Sequence, residues 1–129
     1  MKLSVIIPVF NEAETILELV DRVRQLPLEK ELLMVDDSSS DGSGEILSRL
    51  GSDADTIVLT HPVNRGKGVA IATALRVASG DVVVIQDADL EYDPNDFLNL
   101  IKPIEKGAAQ VVYGVRDLST QRAIMRVGN

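Results

Sequence analysis

Short apolar runs that alternate with amphipathic stretches constrain this chain more than any other feature. The runs are Leu3–Val9, Glu31–Val35, Thr56–Leu59, Val82–Ile85 and Gln110–Tyr113. Val82–Ile85 is wholly β-branched and has no polar face, which suits a strand buried on both sides of a parallel sheet. Between the runs, apolar residues recur at helical spacing: Ile16, Leu19, Val20 and Val23, then Ile46, Leu47 and Leu50, then Ala70, Ile71, Ala74, Leu75 and Ala78. A further helix is expected after Asp93-Pro94, with Phe97, Leu98, Ile101 and Ile104 on its buried side and Pro103 bending its last turn. Boundary signals agree with this division. Pro8, which has no N–H, ends the first ladder; Asn11 is the expected N-cap of the first helix with Glu14 at its third position; Pro27 stops that helix; Gly80 is the expected C-cap of the third. Strand and helix alternating in units of this length imply crossover connections and a doubly wound, mostly parallel α/β sheet.

A length of 129 residues supports one domain with a real core, spanning residues 1–129. After Gly114 the alternation fails, so residues 1–114 read as one half and the basic, partly amphipathic residues 115–129 as an incomplete segment. The fifth strand is then expected to present a poorly covered edge, which invites self-association into homo-oligomers. With 3% aromatic residues the core must be aliphatic, and stacking platforms for single-stranded nucleic acid are scarce. A net charge of -7 also repels a phosphate backbone, so nucleic acid is excluded as a partner class. The absence of cysteine rules out a disulfide framework and fits a cytoplasmic protein. The apolar run after Lys2 stops at residues 8–11, too short for a signal sequence or a membrane span.

Acidic chains repel anionic ligands unless a metal or a local cationic cluster inverts the field. Both devices are visible where ligands of such sheets bind, beyond the carboxyl ends of the strands. Pro8-Val9-Phe10-Asn11-Glu12 follows the first strand, Asp36-Asp37 the second, Asn64-Arg65-Gly66-Lys67-Gly68 the third, and Asp87-Ala88-Asp89 the fourth. In an extended loop Asp87, Asp89 and Glu91 turn the same way, and like charge so concentrated requires water or a hard cation such as Mg²⁺ or Mn²⁺. Each cluster has a structural reading too. Asn11 and Glu12 can simply begin a helix, Asp36 and Asp37 can form an Asx turn, Arg65 and Lys67 can be surface charges, and Asp87 and Asp89 can solvate a turn. Convergence at one sheet end favours the ligand reading. His61, before Pro62, has no catalytic partner in this pattern.

Four stretches, Ser-Val-Ile-Ile-Pro-Val-Phe-Asn-Glu12, Val-Asp-Asp-Ser-Ser-Ser-Asp-Gly42, Asn-Arg-Gly-Lys-Gly68 and Gln-Asp-Ala-Asp-Leu-Glu-Tyr-Asp-Pro94, resemble in that order the family 2 glycosyltransferases of the GT-A fold. The nearest branch is that of the polyprenyl-phosphate (dolichyl and undecaprenyl) sugar transferases. The resemblance implies a GT-A domain, truncated before further acceptor-side elements. It implies inverting transfer of a hexose from a nucleotide-diphosphate sugar, UDP-glucose or GDP-mannose, to a polyprenyl phosphate at the inner face of the membrane. By the same resemblance Pro8, Val9, Asn11, Glu12, Asp36, Asp37, Lys67, Gly68, Asp87, Ala88 and Asp89 border the donor, and Asp87, Asp89 and Glu91 hold the Mg²⁺ or Mn²⁺ ion. Asp89 and Arg116 stand at the reacting groups, Arg116 within Gly114-Val115-Arg116, where the family has Gly-Ser-Arg. Arg122, Arg126 and Gly128-Asn129 match the acceptor side.

Other readings are a donor-binding fragment without turnover, a sheet completed by a partner chain, and a family 2 transferase acting on a saccharide acceptor. A phosphoacceptor receiver domain is rejected because Thr60-His61-Pro62 follows the third strand, where it needs an aspartate. A dinucleotide-binding domain is rejected because no glycine lies between Pro8 and Glu12.

Overall fold

The first apolar run becomes the centre of the sheet. In the computed structural model, which describes residues 2–88, 111–113 and 124–125, the run forms β1 (Lys2–Val9). The chain continues through α1 (Ile16–Arg24), β2 (Glu29–Asp36), α2 (Ser43–Leu50), β3 (Thr56–Thr60), α3 (Lys67–Leu75), β4 (Val82–Ile85), β5 (Val111–Tyr113) and β6 (Ile124–Met125). The strands lie in the order β3-β2-β1-β4-β5-β6. The chain thus winds outward from β1 to β3, then crosses back to lay β4 on the other side of β1. Pairing is parallel from β3 to β5, and β6 joins β5 antiparallel. The doubly wound, mostly parallel sheet expected from the alternation is the one observed.

Side-chain parity sorts the core into two layers. Leu3, Val5, Ile7 and Val9 of β1, with Leu32 and Met34 of β2 and Val82 and Val84 of β4, pack against Ile16, Leu19, Val20 and Val23 of α1 and Leu47 of α2. On the opposite face Ile6, Leu33, Val35 and Ile85 meet Ala70 and Ala74 of α3. Two alanines four residues apart form a narrow face that lets α3 sit low on the sheet. Burial on both faces explains why the strands read as continuous apolar runs.

Local signals and structure differ at five points. α1 starts at Ile16, with Thr15 rather than Asn11 at the N-cap, because Asn11 takes a left-handed conformation (φ 53°) and turns its side chain to another loop. Gly80 is not a helix cap: α3 ends at Leu75 with Arg76 as its C-cap. Gly80 is required instead by close approach, since a Cβ there would lie 2.6 Å from Ser4 Oγ and 2.7 Å from Ser4 N. Leu75, expected on the buried face of α3, is exposed. Pro8 ends only one of the two ladders of β1. Asp37 N–H donates to Val9 O and Gln86 N–H to Ile6 O, so by alternation Pro8 faces β4, whose pairing stops at Ile6 and Ile85; pairing with β2 runs on to Val9 and Asp36. The fifth strand is not an edge, because β6 covers it. The helix expected after Asp93-Pro94 lies outside the described residues.

Candidate functional site

Among the described residues the pairing of β1 with β4 stops at Ile6 and Ile85, and a crevice opens at the point where the winding of the sheet reverses. The last bond between the two strands is Gln86 N–H to Ile6 O, at 2.9 Å. A pocket of about 460 Å³ occupies the gap, lined by Pro8, Val9, Phe10, Glu12, Lys67, Asp87 and Ala88. That volume suits a small-molecule ligand. Three loops shape the pocket, and each is built by a different local device.

The loop after β1 is laced to the loop after β2. Asn11 N–H donates to Ser39 Oγ and Asn11 Oδ1 accepts from Ser40 N–H, at 2.9 and 2.8 Å. Glu12 N–H donates to Ser43 Oγ, whose hydroxyl donates to Asp41 Oδ1, while Ala13 N–H donates to Asp41 Oδ2. The Asp41 carboxyl is held below its ordinary value chiefly by the Ser43 hydroxyl, with help from the Ala13 and Ser43 N–H groups. The serine-rich stretch 38–43 is therefore a brace for residues 11–13. Phe10 is left half-exposed at the pocket wall.

The loop before α3 hangs on Asp37, which is buried. Its Oδ1 accepts from His61 Nδ1 at 2.9 Å and from Arg65 N–H at 2.8 Å; its Oδ2 accepts from Gly66 N–H at 2.8 Å. His61 reaches on to Thr73 Oγ1 in α3, at 2.9 Å. Burial alone raises the Asp37 pKa, but the donors from Arg65, His61 and Gly66 outweigh it and hold the carboxyl below its ordinary value. Gly66 N-caps α3 at φ 93°, a conformation that disfavours any side chain. This geometry delivers Lys67 to the pocket, where its ammonium pairs with Asp87 Oδ1.

The loop after β4 is tied down from both sides. Gln86 is fully buried, and its Nε2 donates to Asp87 O at 3.0 Å. Thr15 Oγ1 donates to Ala88 O at 2.5 Å.

Of the residues expected to border a donor, Pro8, Val9, Glu12, Lys67, Asp87 and Ala88 line one pocket. Asn11, Asp36, Asp37 and Gly68 are not in its lining. Asp36 and Asp37, expected to border the donor, are buried: Asp36 Oδ1 accepts from Ser39 N–H, and Asp36 Oδ2 lies 2.9 Å from where a Cβ on Gly44 would be. Asp89, Glu91 and Arg116 lie outside the described residues. Among the described residues no three potential ligand side chains gather to hold a metal ion. Asp87 nonetheless fits a hard divalent cation: it is an oxygen donor at the pocket wall, and a cationic group, the Lys67 ammonium, already sits on it. Phe10, Thr15 and His61 were missed by sequence reasoning. Phe10 could have been found as one of only two phenylalanines in the chain, set between Val9 and Asn11, both expected to border the donor.

The profile of glycosyl transferase family 2 matches residues 4–123. The chain belongs to that family. It is 35% identical over 131 residues to an undecaprenyl-phosphate 4-deoxy-4-formamido-L-arabinose transferase of Photorhabdus laumondii, covering 97% of this chain and 40% of that protein. Among solved structures, a mannosyltransferase from Pyrobaculum calidifontis in complex with GDP-Man and Mn²⁺ superposes with a TM-score of 0.66 and 34% identity, over 74% of this chain and 30% of that one. The glucosyl-3-phosphoglycerate synthase of Mycobacterium tuberculosis, in complex with Mn²⁺, UDP and glucosyl-3-phosphoglycerate, gives 0.66 and 30% identity, over 80% of this chain and 39% of that one. The chain thus spans roughly a third to two fifths of the length of these relatives. Its fold is that of GT-A glycosyltransferases.

Proposed function

We propose that this chain forms the nucleotide-sugar site of an inverting glycosyltransferase that transfers a sugar to a polyprenyl phosphate. The observation that carries this reading is the pocket at the parted ends of β1 and β4, where an exposed aromatic ring, an ammonium group and a carboxylate share one lining. Phe10 offers its ring face to a nucleobase. Lys67, at the start of α3, supplies positive charge for a diphosphate in a protein of net charge -7. Asp37 serves the donor through the loop it anchors, which sets where Lys67 stands. Asp87 would hold Mg²⁺ or Mn²⁺, with Asp89 and Glu91 as the further ligands expected from sequence. Bound there, the cation neutralises charge that develops on the departing nucleoside diphosphate.

In the transfer, an acceptor phosphate oxygen attacks the anomeric carbon opposite the leaving diphosphate, and the bond from that carbon to the diphosphate oxygen breaks. A phosphate is already ionised at neutral pH, so the site needs leaving-group support more than a strong base. Arg116 is the residue expected to hold the incoming phosphate in line. Relatives named for undecaprenyl phosphate support a polyprenyl phosphate as acceptor. UDP-glucose and GDP-mannose are the donors to test first, followed by a nucleotide-linked formamido-arabinose. No helix among the described residues is long and apolar enough to cross a membrane. A lipid acceptor implies work at a membrane surface, and the inner face is the one expected from the resemblance. Calorimetry with UDP and GDP, each in Mn²⁺ and in EDTA, tests the reading. One nucleotide should bind in Mn²⁺ and lose at least about tenfold in affinity in EDTA. Equal affinity in both would remove the cation, and no binding of either nucleotide would remove the donor site.

A further inference from the structure

We propose that Thr15 is a positioning residue for the acidic loop after β4, acting through the Ala88 carbonyl. The inference rests on reading the pocket as a donor site. Thr15 stands at the N-cap of α1, where a threonine hydroxyl ordinarily accepts from an N–H of the first turn. Here it makes no such bond. Its single hydroxyl proton has three oxygens within reach: Ala88 O at 2.5 Å, Glu12 Oε2 at 3.3 Å and Glu12 O at 3.4 Å. The shortest contact takes the proton, so the hydroxyl is spent on a loop 73 residues away in sequence instead of on its own helix.

The placement of that bond gives it consequence. Ala88 is buried and directly follows Asp87, so fixing its carbonyl fixes the backbone beside the Asp87 carboxylate. On the strand side the loop is held by Gln86 N–H to Ile6 O and by Gln86 Nε2 to Asp87 O. Past Asp87, Thr15 is the one side chain from another element bonded to this backbone among the described residues. Thr15 N–H and Ile16 N–H both donate to Glu12 O, so Thr15 belongs to the turn that carries Glu12, a residue lining the same pocket. The bond to Ala88 therefore ties the acidic loop to that turn.

Thr15→Val keeps the shape and removes the proton; Thr15→Ser keeps the proton and removes the methyl group. Two measurements are made on the full chain and both variants. The first is hydrogen exchange of peptides covering residues 84–90 and 16–24 in the free protein. Faster exchange of 84–90 in Thr15→Val, with 16–24 unchanged and Thr15→Ser like wild type, is expected. The second is calorimetry with Mn²⁺ and UDP or GDP, against uridine or guanosine. Thr15→Val should weaken the diphosphate about two- to tenfold and leave the nucleoside as in wild type. Unchanged exchange in residues 84–90 would overturn the proposal whatever the nucleotide does. So would nucleoside and diphosphate weakening in parallel, since that marks a general structural role. Wild-type protein that binds no nucleotide would overturn the donor-site reading alone, because the exchange result stands by itself.

Discussion

Glu31 and Asp87 are both carboxylates at an end of a strand, at opposite ends of the sheet, and they are satisfied in opposite ways. Glu31, near the start of β2, is buried. Its Oε2 accepts from Ser4 Oγ at 2.6 Å and Ser79 N–H at 2.7 Å, its Oε1 accepts from Ser79 Oγ at 2.9 Å, and Lys2 Nζ lies 3.5 Å away. Ser4 in turn accepts from Gly80 N–H, so this one cluster ties β1, β2 and the turn into β4. Asp87, just after β4, has the ammonium of Lys67, whose side chain is 56% exposed and free to swing. A carboxylate saturated by fixed neighbours serves the fold; one paired with a flexible cation can trade that cation for a ligand. Asp37 stands at the ligand end yet is saturated by fixed neighbours, as Glu31 is.

The largest effect should come from breaking the saturated end. Glu31→Ala takes the acceptor from the buried Ser4 hydroxyl and from the Ser79 N–H and hydroxyl at the margin of that site. The loss should be about 3 kcal/mol in urea unfolding. A loss under about 1 kcal/mol would mean that water replaces the carboxylate freely and that the two ends do not differ as described.

Acid should act on the same groups more gently, because a protonated carboxyl keeps its shape and can still bond. For Glu31, burial raises the pKa, but the Ser4 hydroxyl, the Ser79 N–H and hydroxyl and the Lys2 charge more than reverse it, so the folded value lies below 4.5. Asp37 likewise lies below 3.8. A folded pKa below the unfolded one means that the unfolded chain takes up protons first. The stability these groups add is thus complete above those ordinary values and is lost as pH falls through the lower folded ones. Melting temperatures taken from about pH 6 to about pH 3 should fall, and Glu31→Gln should flatten part of the decline. A decline of identical size in Glu31→Gln would assign it to other carboxyls.

The two ends also differ in how far they could be read from sequence. The alternation of apolar runs was enough for the sheet, and three of the four polar clusters at strand ends meet at the pocket, where Pro8, Val9, Glu12, Lys67, Asp87 and Ala88 line it. Those signals are local: a period, a proline, a charge after a run. What escaped were choices between a local partner and a distant one. Asn11 carries both N-cap and left-handed propensity, and only the presence of the Ser39 hydroxyl and the Ser40 N–H decides between them. Thr15 could cap its helix and bonds Ala88 instead. Asp37 could face a ligand and is taken up by N–H groups 28 and 29 residues away. β6, two residues long, is too short to show a period at all.

The smallest effect on stability is expected where the effect on binding is not small. Lys67 and Asp87 form an ion pair whose cation is largely in water, and exposed pairs of this kind contribute about 0–1 kcal/mol once side-chain entropy and screening are counted. Lys67→Met keeps the length of the side chain and, at the first position of α3, disturbs neither the Gly66 cap nor the Asp37 anchor behind it. Its urea midpoint should therefore lie within about 0.5 kcal/mol of wild type. The Asp87 carboxylate is then left without its ammonium, so Mn²⁺ alone should bind more tightly than to wild type. The nucleoside diphosphate loses one charge-assisted partner and should bind about tenfold more weakly even with Mn²⁺ present. Opposite movement of these two affinities at constant stability is the signature of a cation held in exchange for a ligand. If Lys67→Met instead lost stability on the scale of Glu31→Ala, the Lys67 pair would be a structural tie like the one at the far end of the sheet, and Asp87 would have to be counted with Asp37 and Glu31.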